Sequence, residues 1–163
     1  MGYDVFISYA RKDQSFADTL VQHLEQKDVK CWIDHRDILP GSSWAEDIDE
    51  AIKGNPGLVI ALIFSSNTNA SDQVIKELNL AGSYKIPVIP IRIENVMPFG
   101  HYMYHLGTVN WMNVFGEENK SSDQIAEQVK SAVIRLRSRK GFSASENKIN
   151  NIEGTTSDAP SLS

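Results

Sequence analysis

The chain alternates between short apolar runs and segments in which apolar residues recur every three or four positions. Runs typical of strands lie at Tyr3–Ser8, Val29–Ile33, Leu58–Phe64, Ile86–Ile93 and Val109–Val114. Helical spacing is seen in four groups: Phe16, Leu20 and Leu24; Trp44, Ile48, Ala51 and Ile52; Val74, Leu78 and Ala81; and Ile125, Val129, Val133 and Leu136. Such alternation predicts an α/β fold, a flavodoxin-like five-stranded parallel sheet of order 2-1-3-4-5 with helices on both faces.

Short polar residues mark where these helices begin. Ser43 and Glu46 have the spacing of a capping box, S-x-x-E, at the start of the second helix. Three other residues are predicted to be N-caps: Asp13, Ser71 and Ser122.

Two prolines weaken the fourth predicted strand. Because Pro87 and Pro90 cannot donate to a ladder, we expect this strand to pair only partly or its neighbour, the fifth strand, to be short. Residues 94–107 are predicted to be irregular. Residues 139–163 are polar with almost no apolar periodicity, which predicts one domain over residues 1–138 and a disordered tail.

Composition narrows the function classes. A chain of 163 residues with 41% hydrophobic and 23% charged residues is ordinary for a globular protein, and a formal charge of −5 argues against nucleic-acid binding. The single cysteine, Cys31, lies in an apolar run and fits a reducing compartment. No signal peptide is visible, and the longest apolar run, Leu58–Phe64, is too short to span a bilayer. We therefore expect a cytoplasmic protein that does not bind membranes.

The predicted strand order locates a candidate site before any motif is considered. Ligands of this fold class bind beyond the carboxyl ends of the strands, where strands 1 and 3 diverge. The helix "SDQVIKELNLA" directly follows the loop after strand 3, and Glu77 lies beside its apolar face. From the helix pattern alone, Glu77 is an ordinary solvated glutamate; its place at the crevice favours a functional carboxylate.

Four motifs carry a family resemblance. The segments "YDVFISYARKD", "CWIDHRDILPGSSW", "SSNTNASDQVIKELNLA" and "IPVIPIRIENV" occur in order and together resemble the Toll/interleukin-1 receptor (TIR) domain in its bacterial form, from about Tyr3 to Leu136. Many bacterial and plant TIR domains cleave NAD⁺ between nicotinamide and ribose, and some products are signals in antiphage defence. The resemblance implies an NAD⁺ glycohydrolase with NAD⁺ as substrate, no separate cofactor, and a separate effector protein that senses the product.

The resemblance also implies which residues act. The family's catalytic glutamate on the third helix corresponds to Glu77. The segment from Asp34 to Ser43 resembles the family's BB loop, which mediates self-assembly and helps complete a neighbour's site; the residues concerned are Asp34, Arg36, Asp37, Ile38, Leu39, Pro40 and Gly41. Enzymatic members commonly have tryptophan four residues before the glutamate, where this chain has Gln73.

Other candidate substrate contacts surround the predicted crevice, and each has a structural alternative. Arg11 and the helix start near Asp13 suit a diphosphate, although Arg11 also reads as a solvated loop residue. Tyr9 and Trp44 offer rings for stacking, although Trp44 can equally pack its helix on the sheet. Ser8, Ser71 and Gln73 offer polar groups for a nucleotide, although capping already explains Ser71.

Three other functions compete with the enzyme. A TIR scaffold would assemble through the BB loop without catalysis, and Gln73 favours it. A host-directed virulence factor is a third possibility, and the lack of a secretion signal argues against it. A flavodoxin-like response regulator would need an acidic cluster at the end of strand 1 and a lysine after the last strand, but strand 1 ends in Ser8 and Tyr9. His101 and His105 have helical spacing but no acidic or cysteine partner, so no metal site is predicted.

Overall fold

The computed structural model describes residues 2–116 and 121–139. Five parallel strands form one sheet in the order β2-β1-β3-β4-β5, which confirms the predicted fold class. The strands are β1 (Val5–Ser8), β2 (Cys31–Trp32), β3 (Val59–Phe64), β4 (Val88–Arg92) and β5 (Met112–Asn113). The helices are α1 (Gln14–Gln26), α2 (Asp34–Asp37), α3 (Trp44–Gly54), α4 (Ser66–Asn69), α5 (Asp72–Ser83), α6 (His101–Leu106) and α7 (Ser122–Arg139), and a 3-10 turn spans Arg11–Asp13.

The central strand β3 is buried on both faces, as its uninterrupted apolar sequence predicts. Its odd-numbered residues Val59, Ala61 and Ile63 pack in a cluster with α1 and α7. Its even-numbered residues face the other side, where α3 and α5 cover Ile60 and α5 and α6 cover Leu62 and Phe64. Helices therefore cover both faces of the sheet.

Pro90 explains why β5 is short. Ile60 N–H bonds to Pro87 O and Ile93 N–H to Phe64 O, so the odd-numbered residues of β4 face β3. The N–H and C=O groups of successive strand residues point toward alternate neighbouring strands, so those of residue 90 point toward β5. Proline at this position has no N–H to donate to β5. The β4–β5 register is limited to Ile91 with Met112 and Arg92 with Asn113. The expected short fifth strand is confirmed.

Two of the four predicted caps are confirmed, one has the predicted position without a cap bond, and one is wrong. Ser43 and Glu46 form the capping box of α3, and Ser71 Oγ accepts from Val74 N–H at the start of α5. Asp13 precedes α1, but its side chain makes no cap there. Ser121 rather than Ser122 bonds the start of α7, through reciprocal bonds with Gln124.

Two segments predicted as loops contain short helices. α2 forms within the loop after β2, and α6 forms within residues 94–107, which were predicted to be irregular. A six-residue helix with glycine at both ends is too short for apolar periodicity to reveal it. The described helices include none that is long and apolar enough to cross a membrane. The predicted tail, residues 139–163, lies outside the described residues except for Arg139, which ends α7.

Candidate functional site

The candidate site lies where β1 and β3 end. Phe6 and Ser8 point to the α3/α5 side of the sheet, because side chains alternate along β1. Beyond Phe64 the chain passes through Ser65 and α4 into α5, which returns Glu77 to the end of β1. The topology therefore brings Ser8 and Glu77, 69 residues apart, into contact at the predicted crevice.

Glu77 is buried rather than solvated, with 5% of its surface exposed. Ser8 Oγ donates to its Oε1 at 2.7 Å, and Gln73 Nε2 donates to its Oε2 at 3.3 Å. The Gln73 contact joins residues one helical turn apart on α5. Both carboxylate oxygens therefore accept a hydrogen bond from a side chain of the same chain.

Burial raises the pKa of Glu77 to about 7. The hydrogen bonds from Ser8 and Gln73 lower the pKa because they stabilise the charged form, and the nearby Asp34 raises it again. Desolvation exceeds the effect of the two donors. Glu77 consequently titrates near neutral pH, in the range suited to acid–base and electrostatic chemistry.

Tyr9 joins the crevice to the loop after β2. Its hydroxyl donates to Asp34 Oδ1 at 2.8 Å, and burial followed by this hydrogen bond raises the pKa of Tyr9. The ring packs against the α1/α7 side of the core. Tyr9 thus has a structural contact at the edge of the site, while its role toward a ligand stays a prediction.

The other proposed substrate contacts divide between surface and core. Arg11 is exposed on the 3-10 turn. Trp44 is 8% exposed and meets Phe6 and Trp32 edge-to-face, so its ring belongs to the core. Ser71 caps α5. Trp44 therefore packs in the core and Ser71 caps a helix. Both are the structural roles that were predicted as alternatives to ligand contact.

Sequence reasoning missed the role of Asp13. This buried carboxylate accepts from Ser65 Oγ at 2.6 Å and from Asn67 Nδ2 at 3.0 Å. It therefore ties the turn before α1 to the loop after β3, one on each side of the crevice. A carboxylate at this position opposes the phosphate that we expected at the start of the first helix.

The predicted assembly loop, residues 34–43, has an anchored base and an exposed tip. Arg36 binds both carboxylate oxygens of Glu25 at 2.9–3.0 Å and also donates to Cys31 O. His35 contacts Asp18 at 2.6 Å. Beyond this base, Leu39 is 68% exposed and Ile38 36%, and Gly41 has a positive φ of 84°. The base is held on α1 while the apolar tip faces solvent.

His101 and His105 do share the short helix α6, but His105 Nε2 bonds to Asn79 Oδ1 at 2.7 Å. Within residues 2–116 and 121–139, no group of three or more His, Cys, Asp or Glu side chains is placed to hold a metal ion.

Comparison with known proteins agrees with this architecture. The TIR domain of the Toll-related receptor TRR-2 from Hydra magnipapillata is 24% identical, with 85% of this chain and 97% of that one covered and a TM-score of 0.54. The TIR domains of the activated Roq1 resistosome, which directly recognises the pathogen effector XopQ, are 17% identical, with 81% and 99% covered and a TM-score of 0.58. At these identities the likeness shows the fold alone.

A comparison with curated proteins finds no match. The family described as TIR domain matches residues 5–129, which include every strand and the Ser8–Glu77 contact. The chain therefore belongs to the TIR domain family.

Proposed function

We propose that this chain is an NAD⁺ glycohydrolase or cyclase, a TIR protein of bacterial type that makes a nucleotide signal in antiphage defence. The observation that carries the proposal is the buried carboxylate of Glu77, held by Ser8 at the crevice of a TIR domain. A buried ionisable side chain with a perturbed pKa is a candidate functional group, because its desolvation costs free energy that function can offset.

A single carboxylate suits this reaction. When the bond between ribose C1′ and nicotinamide nitrogen breaks, both electrons go to the pyridinium nitrogen, and nicotinamide leaves neutral without protonation. No general acid is needed, unlike ordinary glycoside hydrolysis. Water then attacks C1′ to give ADP-ribose and a proton, or an adenine nitrogen attacks to give a cyclic isomer.

Glu77 would stabilise the positive charge that develops on the ribosyl ring and hold the ribose hydroxyls. A preorganised group of this kind is worth about 3–4 kcal/mol in a water-poor site. The cationic nicotinamide would also lower the pKa of Glu77, since a nearby opposite charge favours the ionised form. A carboxylate has about four lone-pair sites, so the bonds from Ser8 and Gln73 leave room for substrate.

The proposed activity also implies residues that contact NAD⁺ and a surface through which the chains assemble. Gln73 and Ser8 contact Glu77, and Tyr9 and Arg11 follow the end of β1; these four are the remaining candidates to contact NAD⁺. The exposed tip of the loop 34–43 would contact a second copy, so activity would require a homo-oligomer. A separate effector would sense the product. The buried free thiol of Cys31, whose pKa burial raises to about 12, supports a reducing, cytoplasmic location.

A non-catalytic scaffold is the second candidate. The hydrogen bonds from Ser8 and Gln73 to the two carboxylate oxygens of Glu77 favour it, because a buried carboxylate with a purely structural role is hydrogen-bonded in the same way. Such a scaffold would use the same exposed loop tip but would leave NAD⁺ intact.

The experiment that separates the two candidates follows the products. Purified chain at high concentration is incubated with NAD⁺, and nicotinamide and the second product are identified by mass spectrometry. Glu77→Gln and Glu77→Ala are tested alongside Glu50→Gln, which removes one charge from an exposed position of α3. The proposal predicts release from wild type and Glu50→Gln only. Absence of nicotinamide from wild type supports the scaffold.

A further inference from the structure

Arg92, at the end of β4, is a buried cation without a carboxylate partner among the described residues. It is 9% exposed, and no acid within residues 2–116 and 121–139 forms an ion pair with it. Glu94, two residues further along the chain, instead accepts from Ser66 N and Oγ at 2.9 Å. Burying a charge costs free energy unless an opposite charge or a ligand compensates for it.

The two edges of the Arg92 guanidinium have different surroundings. Nη1 donates to Val96 O at 3.2 Å and contacts Met97 Sδ at 3.1 Å, so this edge holds the loop after β4. On the other edge, Nε is buried and has no hydrogen-bond partner, and Nη2 donates to none of the described residues. Nε and Nη2 together form the planar fork that binds two oxygens of a phosphate or carboxylate. The edge suited to an oxyanion is therefore the unpaired one.

Trp111 fixes the plane of this guanidinium. The guanidinium carbon lies 4.4 Å from the centroid of the Trp111 ring, and Trp111 meets Phe64 edge-to-face with centroids 5.1 Å apart. Stacking on a ring uses the face of the guanidinium and leaves its edge N–H groups available to a ligand. A group that is held in one orientation before binding also loses less conformational entropy when a ligand binds.

Arg92 and Ser8 project from the same side of the sheet near the same edge. The odd-numbered residues of β4 pack with α1 and α7, so Arg92 projects to the other side, toward α5 and α6. Ser8 pairs in register with Leu62 of β3, and Arg92 pairs with Phe64. The Cα atoms of Ser8 and Arg92 are therefore about 10 Å apart across the strands and about 7 Å apart along them. A dinucleotide is long enough to reach both residues.

We infer that the Nε–Nη2 edge of Arg92 binds a phosphate group of a nucleotide at the carboxyl end of β4. The oxyanion site rests on the geometry of Arg92, whereas the choice of a nucleotide as ligand rests on the proposed function. This assigns phosphate binding to Arg92 rather than to the start of α1, where the buried carboxylate of Asp13 opposes an anion.

Nitrogen-15 NMR of the arginine Nε–Hε groups tests the inference on the full chain without NAD⁺. Arg92→Lys identifies the Arg92 resonance by its loss. ADP supplies a diphosphate, adenosine is the same nucleoside without phosphate, and inorganic phosphate is the anion alone. We expect ADP to shift the Arg92 resonance saturably, inorganic phosphate to shift it at higher concentration, and adenosine to leave it in place.

Calorimetric titration with ADP measures what Arg92 contributes to affinity. Arg92→Gln should weaken ADP binding at least ~10-fold, and Arg92→Lys should also weaken it because lysine has the charge without the fork. Lys85→Gln is the matched control, since it removes the same charge from an exposed residue before β4, at the opposite end of the strand. We expect Lys85→Gln to bind ADP as wild type does. Thermal melts verify that each variant folds.

The inference is overturned by an Arg92 resonance that stays in place with ADP, moves equally with adenosine, or moves with inorganic phosphate alone. Unchanged ADP affinity in folded Arg92→Gln, or in Arg92→Lys if the glutamine variant does not fold, also overturns it. ADP has no nicotinamide, so ADP binding at Arg92 without nicotinamide release from NAD⁺ would contradict only the proposed function. Nicotinamide release with an Arg92 resonance that ADP does not move would contradict only this inference.

Discussion

Glu77 occupies a position of α5 that otherwise belongs to the core. Val74, Leu78 and Ala81 of the same helix are at most 1% exposed, and Glu77 shares their face. Its pKa of about 7 in the folded chain exceeds its ordinary value of 4.5, so the folded state binds more protons between these two pH values. The free energy of unfolding therefore falls as pH rises through this window, and the loss is complete above pH 7.

This linkage gives a stability prediction. Glu77→Gln should increase the free energy of unfolding at pH 8 by about 2–3 kcal/mol and change it little at pH 4, where Glu77 is already neutral. Urea denaturation at both pH values measures this, with Glu50→Gln as the control for an exposed glutamate. An equal effect of Glu77→Gln at the two pH values would show that its ionisation does not oppose folding.

Ser8 is the positioning residue for Glu77. Ser8→Ala removes the 2.7 Å bond that favours the ionised carboxylate, so the pKa of Glu77 should rise by about one further unit. The acid limb of nicotinamide release should move to higher pH by the same amount.

A ¹³C NMR titration of the Glu77 carboxyl checks the Ser8 prediction without requiring activity. Ser66→Ala is a matched control, because Ser66 Oγ donates to a different carboxylate, Glu94, at 2.9 Å. An unchanged Glu77 titration in Ser8→Ala would remove Ser8 from this role.

Local pattern identified the buried face of α5 but not the burial of Glu77, which it predicted to be solvated; the predicted strand order, not the helix pattern, put Glu77 near the end of β1. The spacing of Val74, Leu78 and Ala81 identified the buried face, and Glu77 lies on that face at i+3 from Val74. The partners of Asp13 lie 52 and 54 residues away, so no local rule connects them. Packing of Trp44 against Phe6 and Trp32 likewise depends on tertiary structure.

At the scale of elements, the loop 34–43 joins a fixed base to an exposed tip. The base is held by Arg36, whose planar guanidinium binds Glu25 through two nitrogens. Lysine cannot reproduce this paired geometry. The base thereby limits the positions that the tip can occupy.

Arg36→Lys should speed amide hydrogen exchange in residues 34–38 while lowering the free energy of unfolding by less than about 1 kcal/mol, because the pair is partly exposed. Exchange mass spectrometry measures this, with Lys53→Ala as control for a surface pair outside the loop. Unchanged exchange in residues 34–38 would show that Arg36 does not hold the base.

Elements with long apolar runs were predictable from sequence, and short ones were not. β3 followed directly from Leu58–Phe64, and Pro90 predicted a short β5 because its missing N–H faces that strand. α2 and α6 were missed because four and six residues are too few for helical periodicity.

For the whole molecule, the strand order places the loop 34–43 beside the candidate site, because β2, which precedes this loop, is next to β1, which ends at Ser8. If a neighbour's tip completes this site, activity per chain depends on how many chains are assembled. Activity and assembly are then one property of this TIR domain.

The most direct test of Glu77-dependent catalysis is the rate of nicotinamide release from NAD⁺ over a hundredfold dilution series, measured for wild type and for Glu77→Gln. We predict that release per chain by wild type rises with protein concentration, and that Glu77→Gln releases none at any concentration. No release by wild type at its highest concentration, or equal release by both proteins, would contradict NAD⁺ cleavage that depends on Glu77. Constant release per chain would contradict the shared site.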